Sequence, residues 1–330
     1  MKFLCICLSP AIDATVRLNA WPTDGCIVKN AADTLAPGGK GLNVARWLAV
    51  RVREAGRDAA VTIACGGLLG EDNARVFEKE LAKYGVEDRF VRVPGATRVN
   101  EMFVTPTGSF KVNRAAFPGV AAPNLGSFVS GLSSSDVVVL SGSLPSDFPV
   151  DTYRTLVAAA KAAGAKVVLD ASGAALVEGA KARPNVLKPN AEECAALIGF
   201  VPKTPADFAR ATTALKAYCD YPIISDGGAG CWFDGAFVAA PKVDVLDTTA
   251  AGDTLLAEWC WRRFGWEEGL KGLGGLKGFE DCGKWAVAAG SAACTMPGGE
   301  PPPVELVARL RQLAIDDCQF SNAERTNGTA

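Results

Sequence analysis

The sequence predicts an α/β fold in which helices cover a mainly parallel central sheet. Short apolar runs, many of them β-branched, recur along the chain, and helical patterns separate one run from the next. Two other segments alternate apolar and polar residues, which is typical of antiparallel strands exposed on one face. We therefore expect one large buried sheet and, beside it, a small lid of strands.

The predicted strands and helices follow one another in regular order. The run 3–8 is predicted to be the first buried strand, and the later core strands are 61–65, 137–140, 166–169, 186–187 and 222–224. The helices are 72–84, 150–163, 191–198 and 205–218, with Gly85 and Gly164 at C-cap positions. The lid segments are 14–36 and 98–114. One domain over 1–320 results, followed by a polar tail, 321–330, that we expect to be disordered.

The composition argues against several classes of protein. Charged residues make up 21% of the chain, the net charge is −2 and no long basic run occurs, so we expect no nucleic-acid partner. No apolar run approaches the roughly 20 residues that span a bilayer, so we expect no membrane segment. The 11 cysteines are dispersed and form no C-x-x-C pair, which favours small buried side chains in the reducing cytoplasm.

Histidine is absent from the sequence. This excludes Ser-His-Asp and Cys-His catalysis, metal sites ligated by histidine and imidazole acid–base chemistry. Any proton transfer must use Asp, Glu, Lys, Tyr or Cys.

The first glycine-rich segment is 37–45, PGGKGLNVA, which runs directly into a helical pattern. Glycines before a helix allow ligand oxygens to approach the backbone N–H groups at its positive end. Lys40 adds a charge and Asn43 an amide. The alternative is an ordinary strand-to-helix turn, in which glycine is common.

The second segment is 247–254, DTTAAGDT, which precedes an apolar helix. Its small residues allow successive N–H groups to converge on one point, as in an anion hole for a transferring phosphoryl group. Asp253 lies in the first turn and is directed at the same place. The alternative is that Asp253 only caps the helix.

Two further segments have both a functional and a structural interpretation. Asn190 and Glu193 have capping-box spacing, and the same pair is suited to holding a hydrated Mg²⁺ beside nucleotide phosphates. The segment 224–230, ISDGGAG, either covers a nucleotide or only reverses the chain between two strands. No P-loop and no G-x-G-x-x-G after a strand is present.

These motifs together resemble a known family. GGKGLNVA near position 40 and DTTAAGD near position 250 resemble the two signatures of the phosphofructokinase B group of the ribokinase superfamily. The segments 8–13, 141–145, 188–190 and 288–293 also fit, so the resemblance runs nearly end to end. Within the group, the chain is most similar to the 1-phosphofructokinases and tagatose-6-phosphate kinases.

The resemblance implies a three-layer α/β/α ribokinase-like domain with a β-strand lid, often paired into a homodimer through that lid. It implies ATP-dependent phosphorylation of a ketohexose phosphate, namely fructose 1-phosphate, tagatose 6-phosphate or fructose 6-phosphate. Asp253 would be the general base, and Ala250, Ala251 and Gly252 would form the anion hole. The cofactors implied are ATP and Mg²⁺.

The resemblance also assigns the binding residues. The substrate site would comprise Asp13, Lys29, Gly38, Gly39, Lys40, Asn43, Arg98 and Ser141, with Lys29 and Arg98 holding the phosphate that the sugar already carries. The ATP site would comprise Lys188, Asn190, Ser225, Gly227 and Gly230, with Glu193 holding Mg²⁺ through water.

Three positions depart from the family pattern and leave alternatives open. The family usually has Gly at Ala250, Asn at Ser9 and an apolar residue at Asp226. Ala250 and Ser9 favour a catalytically weak protein that binds sugar phosphates, whereas Asp253 favours an active enzyme. A kinase for an unphosphorylated sugar or a nucleoside is the other alternative, and the two cations Lys29 and Arg98 argue against it.

Overall fold

The computed structural model describes residues 1–25, 27–28, 32–265 and 276–313. Lys29 and the tail 321–330 lie outside the described residues, so the predictions made for them stay predictions. Within the described part of the chain, no helix combines the length and the apolar composition that crossing a membrane requires.

Thirteen strands are described, and they form two sheets. In chain order they are β1 (Lys2–Cys7), β2 (Ala11–Arg17), β3 (Ala32–Gly38), β4 (Thr62–Gly70), β5 (Glu87–Val93), β6 (Val99–Thr105), β7 (Gly108–Val112), β8 (Val137–Ser141), β9 (Lys166–Asp170), β10 (Val186–Leu187), β11 (Tyr221–Ser225), β12 (Gly230–Phe233) and β13 (Ala236–Ala239). The large sheet has the order β13-β12-β11-β10-β9-β8-β1-β4-β5. Its strands run parallel from β5 to β11, and β12 and β13 complete it as an antiparallel hairpin.

The described helices are α1 (Lys40–Glu54), α2 (Arg75–Tyr84), α3 (Leu125–Phe128), α4 (Thr152–Ala162), α5 (Gly173–Ala180), α6 (Ala191–Ile198), α7 (Pro205–Leu215), α8 (Ala251–Cys260), α9 (Leu276–Ala293) and α10 (304–313). A π-helical turn, Trp261–Gly265, continues α8. The four helices predicted from the sequence correspond to α2, α4, α6 and α7. Gly85 and Gly164 both have positive φ beyond helix ends, as predicted.

The core consists of two layers of side chains, one on each face of the large sheet. Alternate residues of β1 divide between them, with Phe3, Cys5 and Cys7 on one face and Leu4 and Ile6 on the other. The first layer packs under α1, α2, α8 and α9, and the second under α4 to α7. The predicted three-layer α/β/α fold is confirmed, and the doubly buried strands explain why their sequences are continuously apolar.

The small sheet has the order β3-β2-β6-β7 and comes from the two segments predicted to form the lid. Each segment is an antiparallel hairpin, as predicted, but β2 and β6 join the hairpins as a parallel pair. β2 follows β1 along the chain and β6 follows β5, and β1 and β5 run parallel in the large sheet. The first strands of the two hairpins therefore leave the large sheet in the same direction.

The two faces of the small sheet differ in character. One face carries polar side chains, among them Asp13, Asn100 and Lys111, and lines a small cavity against Asp247 and Thr249. The other face is apolar and open to solvent, with Trp21, Leu35, Phe110 and Val112 exposed by 40%, 61%, 50% and 39%. This alternation places the polar face towards the helix N-termini described below.

Candidate active site

Two helix N-termini meet at the carboxyl edge of the large sheet. α1 begins after Gly39, whose φ is 133°, and α8 begins after Ala250, whose φ is 63°. The side-chain amide of Asn43 in α1 donates to Asp253 Oδ2 in α8 over 2.8 Å, although the two residues are 210 positions apart. The two signature segments of the sequence therefore form one site.

Asp253 does not cap its own helix. The N-cap position is Ala250, and no side chain caps α8 there. The structural alternative considered for Asp253 is therefore wrong. Asp253 is only 5% exposed, and burial raises the pKa of its carboxyl group to about 6. The Lys40 ammonium and the Asn43 amide oppose this rise in pKa, while the Asp170 carboxylate adds to it.

The first turn of α8, where the anion hole was predicted, has fewer unengaged N–H groups than the sequence suggested. The N–H of Ala251 is partly engaged, since it donates to Thr248 O over 3.3 Å. The N–H groups of Gly252 and Asp253 make no backbone hydrogen bond to any described residue, as expected for the first turn of a helix. The amides available to an anion are therefore those of Gly252 and Asp253, and the left-handed Ala250 sets their direction.

Two lysines converge on a buried carboxylate that the sequence analysis did not select. Asp170 Oδ1 lies 3.3 Å from Lys40 Nζ and 3.2 Å from Lys188 Nζ, and its side chain is 1% exposed. Asp170 Oδ2 is buried without a hydrogen-bond partner among the described residues. Burial opposes the charge on Lys40, but the Asp170, Asp253 and Glu193 carboxylates outweigh it and raise the pKa of Lys40.

Lys188 also approaches the anion hole. Its Nζ lies 3.8 Å from the position that a Cβ on Gly252 would occupy. Both lysines are thus placed beside Asp253, with Asp170 as their common partner. The only sequence signal for Asp170 was an acidic residue directly after the predicted strand 166–169.

Two of the predicted sugar residues, Asp13 and Gly38, lie where α1 meets the small sheet. A Cβ on Gly38 would come within 2.3 Å of Asp13 Oδ2, so a side chain at this position would displace the Asp13 carboxylate. Asn100 Nδ2 donates to Asp13 Oδ1 over 3.1 Å, and Lys111 Nζ lies 3.6 Å from the same oxygen. Asn100 and Lys111 orient Asp13, and sequence reasoning missed both.

Gly39 and Ser141 also lie at this edge of the sheet. A Cβ on Gly39 would lie 2.6 Å from Cys7 Sγ, which explains the glycine at that turn. Ser141 is paired in register with Asp170 across β8 and β9, and its Oγ is buried without a partner among the described residues. Ser141 is fully buried at this edge.

Arg98 is more constrained than the sequence suggested. Its guanidinium donates to three backbone carbonyls, those of Pro10 over 3.2 Å, Ser9 over 3.0 Å and Arg114 over 2.6 Å. A guanidinium has five N–H groups, so two remain for a ligand. Arg98 thus links the backbone before β2 to the backbone after β7 and places a positive charge beside the small sheet. Burial lowers the pKa of Arg98.

A cleft of about 900 Å³ opens on the other side of α8. The predicted nucleotide residues Asn190, Ser225, Gly227 and Gly230 line it together with Gly252. Apolar side chains that sequence reasoning missed form much of its wall, namely Ala240, Pro241, Val243, Val245, Leu255 and Val287. The cleft is large enough for a nucleotide and reaches the free amide of Gly252.

Asn190 and Glu193 form a capping box at the start of α6. Asn190 Oδ1 accepts from the Glu193 N–H over 2.7 Å, and Glu193 Oε2 accepts from the Asn190 N–H over 2.9 Å. The structural interpretation is therefore confirmed. Glu193 Oε1 makes no hydrogen bond to a described residue, so one oxygen of the carboxylate is unengaged at the start of α6. Among the described residues, no group of three or more His, Cys, Asp or Glu side chains is placed to hold a metal ion.

The architecture is that of the ribokinase fold, and the family match identifies the chain as a sugar kinase. A profile of the pfkB family carbohydrate kinases matches residues 7–305, and the chain belongs to this family.

Its relatives include a 1-phosphofructokinase of Vibrio cholerae, 34% identical over 271 residues, covering 79% of this chain and 82% of the relative. A 1-phosphofructokinase of Rhodobacter capsulatus is 33% identical over 275 residues, covering 78% and 82%. A similar solved structure is phosphofructokinase-2 of Escherichia coli in complex with substrates and products, with a TM-score of 0.80, 21% identity and coverage of 95% and 99%.

Proposed function

We propose that this protein transfers the γ-phosphoryl group of ATP to a hydroxyl of a ketohexose phosphate, with Asp253 as general base. The observation that carries the proposal is the position of Asp253. It is buried in the first turn of α8, beside Gly252, which lines the large cleft, and it accepts from Asn43 at the start of α1; its pKa is raised to about 6. The names of the relatives favour fructose 1-phosphate as the substrate.

In the proposed reaction, the hydroxyl oxygen of the sugar attacks the γ-phosphorus and its proton passes to Asp253. The bond from the γ-phosphorus to the bridging oxygen breaks, and ADP leaves with the electron pair. A carboxyl group with a pKa near 6 is mostly ionised at neutral pH and is a stronger base than an ordinary aspartate. The amides of Gly252 and Asp253, with the nearby Lys188 ammonium, would stabilise the charge on the transferring group.

The sugar would lie between the polar face of the small sheet and the N-terminus of α1. Asp13 and Asn43 would bind its hydroxyls, and Gly38, Gly39, Lys40 and Ser141 would complete the pocket. The nucleotide would occupy the large cleft, with its phosphates at the N-terminus of α8. Mg²⁺ neutralises phosphate charge in such reactions, and Glu193 would hold it through water.

The phosphate already on the sugar would bind Arg98 and Lys29. Arg98 supports this because it keeps two N–H groups and lies between the small sheet and the Ser9–Pro10 backbone. The apolar outer face of the small sheet supports a homodimer formed through the lid, because exposed Trp21, Leu35, Phe110 and Val112 would be covered there. The cytoplasm is the proposed location, and the nine described cysteines, all unpaired, agree with it.

An ADP-release assay over a panel of sugars tests the substrate class. The panel comprises fructose 1-phosphate, fructose 6-phosphate, tagatose 6-phosphate and the corresponding free sugars. We expect turnover with a ketohexose phosphate and a kcat/KM at least about tenfold lower with free sugars, because a charge-assisted hydrogen bond is worth about 1.5–3 kcal/mol. Equal use of free and phosphorylated fructose would contradict the proposal.

A catalytically weak sugar-phosphate-binding protein is the second candidate. The left-handed φ of 63° at Ala250, which is strained for a residue with a Cβ, is the observation that favours it. Calorimetry with the same panel separates the candidates, because a binding protein would bind a ketose phosphate without releasing ADP.

A further inference from the structure

Arg46 is a buried cation behind the catalytic residues. It lies on α1, one helical turn after Asn43, and is 3% exposed. Its Nη2 donates to Pro37 O of β3 over 2.5 Å and lies 2.8 Å from Glu80 Oε1 of α2. Its Nη1 donates to Asn43 Oδ1 over 3.2 Å. One guanidinium therefore joins the small sheet, α2 and the amide that contacts Asp253.

The chemistry of the guanidinium fixes the orientation of the Asn43 amide. Arg46 has only donors, so it can face only the carbonyl oxygen of the amide. The amide nitrogen must then point away from Arg46, towards Asp253 Oδ2 at 2.8 Å. In the reversed orientation, the amide oxygen would face the carboxylate and the amide N–H groups would face the guanidinium. Both contacts would be repulsive.

We propose that Arg46 is a positioning residue that, through the Glu80–Arg46–Asn43 contacts, holds the Asn43 amide with its N–H groups towards Asp253. This inference rests on the proposed function for its catalytic meaning. It does not concern a direct contact with substrate. Because the Arg46 guanidinium also donates to Pro37 O, it links the end of β3 to Asn43, the residue that contacts Asp253.

An ordinary structural brace is the alternative, and α1 supplies a matched control. Arg51 lies on the same helix, is also 3% exposed, and pairs with Glu258 at 3.1 Å and Glu54 at 2.9 Å. Replacing either arginine removes a buried cation and takes away one ion-pair partner of a carboxylate, so both substitutions should destabilise the fold. Only Arg46 contacts Asn43.

Several other groups act on Asp253 and stay unchanged in the test. Lys40 on α1, Lys188 after β10, Asp170 at the end of β9 and the Cys7 thiol on β1 all interact electrostatically with it. The Asn43 N–H stabilises the carboxylate, so its loss raises the pKa of Asp253. A hydrogen bond to a charged group corresponds to a shift of about one pKa unit or more.

The experiment is a double-mutant cycle between positions 43 and 46. The pKa of Asp253 is measured by carbon NMR of aspartate carboxyl groups in the wild-type protein, in Asn43→Ala, in Arg46→Met and in the double variant. We expect Asn43→Ala to raise the pKa by about one unit and Arg46→Met by about half a unit or more. In the Asn43→Ala background, Arg46→Met should add little, because the group through which it acts is gone.

The controls separate positioning from stability. Arg51→Met should lower the free energy of unfolding and leave the pKa of Asp253 unchanged. If Arg46→Met does not fold, Arg46→Lys decides, because it keeps the charge but cannot reach all three partners, and we expect a smaller rise in the same direction. Additive shifts in the cycle, or no shift with Arg46→Met, would overturn the proposal. The NMR readout needs no substrate, so its result is independent of whether the proposed reaction occurs.

Discussion

The amide of Asn43 and the carboxyl group of Asp253 form a 2.8 Å hydrogen bond that joins the first turns of two helices. Burial raises the pKa of Asp253, and the Asn43 N–H, together with Lys40 and Lys188, limits the rise to about 6. The pair therefore gives a base that is stronger than an ordinary aspartate and is still ionised near neutral pH.

The pH dependence of turnover should show this titration. Asp253 accepts a proton only when it is ionised, so kcat/KM should fall below about pH 6 with a slope of one proton. The phosphate group of the substrate also titrates near pH 6 and would by itself make the activity change in this range. Asn43→Ala is the control that separates the two titrations. This variant should move the acidic limb to higher pH, whereas the titration of the substrate is the same for every variant. An acidic limb of kcat/KM centred near pH 4 would contradict the assignment of this titration to Asp253.

Asp253 should destabilise the folded protein at neutral pH. Its pKa is raised from 3.8 to about 6 on folding, so the folded state favours the protonated form. The penalty is absent below about pH 4, grows as the pH rises and is complete above about pH 6. Asp253→Asn should therefore increase the free energy of unfolding at pH 7.5 by about 1–3 kcal/mol, since one pKa unit corresponds to about 1.4 kcal/mol.

Urea denaturation at pH 4 and pH 7.5 measures this difference. The exposed Asp58→Asn is the control and should change little at either pH. A gain from Asp253→Asn that is equal at both pH values would show that the substitution acts through packing, not through the buried charge.

Ala250→Gly should raise kcat. A left-handed residue with a Cβ is strained by about 1–2 kcal/mol, and the strain lies in the turn that directs the Gly252 and Asp253 amides. Relief of about 1 kcal/mol in the transition state corresponds to an increase of roughly fivefold. Ala251→Gly, at the first helical position, is the control and should bring no gain. An unchanged kcat for Ala250→Gly would reject the strain explanation.

Arg98→Ala should weaken the use of sugar phosphates by about one to two powers of ten in kcat/KM, with little change in the KM for ATP. Some stability should also be lost, because three carbonyls lose their donor. Arg114→Ala is the control, since this lid arginine pairs with Glu101 at 2.7 Å and should matter less to the sugar phosphate. An equal loss with free fructose would show that Arg98 only braces the lid.

The local features of the site were predictable from the sequence. The glycine-rich turn before α1, the capping box of Asn190 and Glu193, and a helix following the segment 247–254 all follow from rules that span a few residues. The two signature segments identified the family, and through it Asp253. Their contact across 210 positions did not follow from any local rule, because it depends on the order of strands in the large sheet.

The residues that were missed depend on register and tertiary packing. Asp170 has no local motif, and its importance emerges only when parallel pairing places it beside Ser141 and between two lysines. Lys111 on β7 reaches Asp13 on β2 because only one strand, β6, lies between β2 and β7 in the small sheet. Arg46 resembles a solvated helix residue in sequence, and only the packing of α2 and β3 around it reveals its burial.

The most direct test of the account is transfer of labelled phosphate from [γ-³²P]ATP to fructose 1-phosphate, measured in a single turnover for the wild-type protein and Asp253→Asn. We expect the wild-type protein to form labelled fructose bisphosphate. The variant should bind ATP normally but react roughly 10²–10⁴ times more slowly, the usual contribution of a general base. Near-normal transfer by Asp253→Asn would contradict the role of Asp253, and no transfer by the wild-type protein to any ketohexose phosphate would contradict the proposed activity.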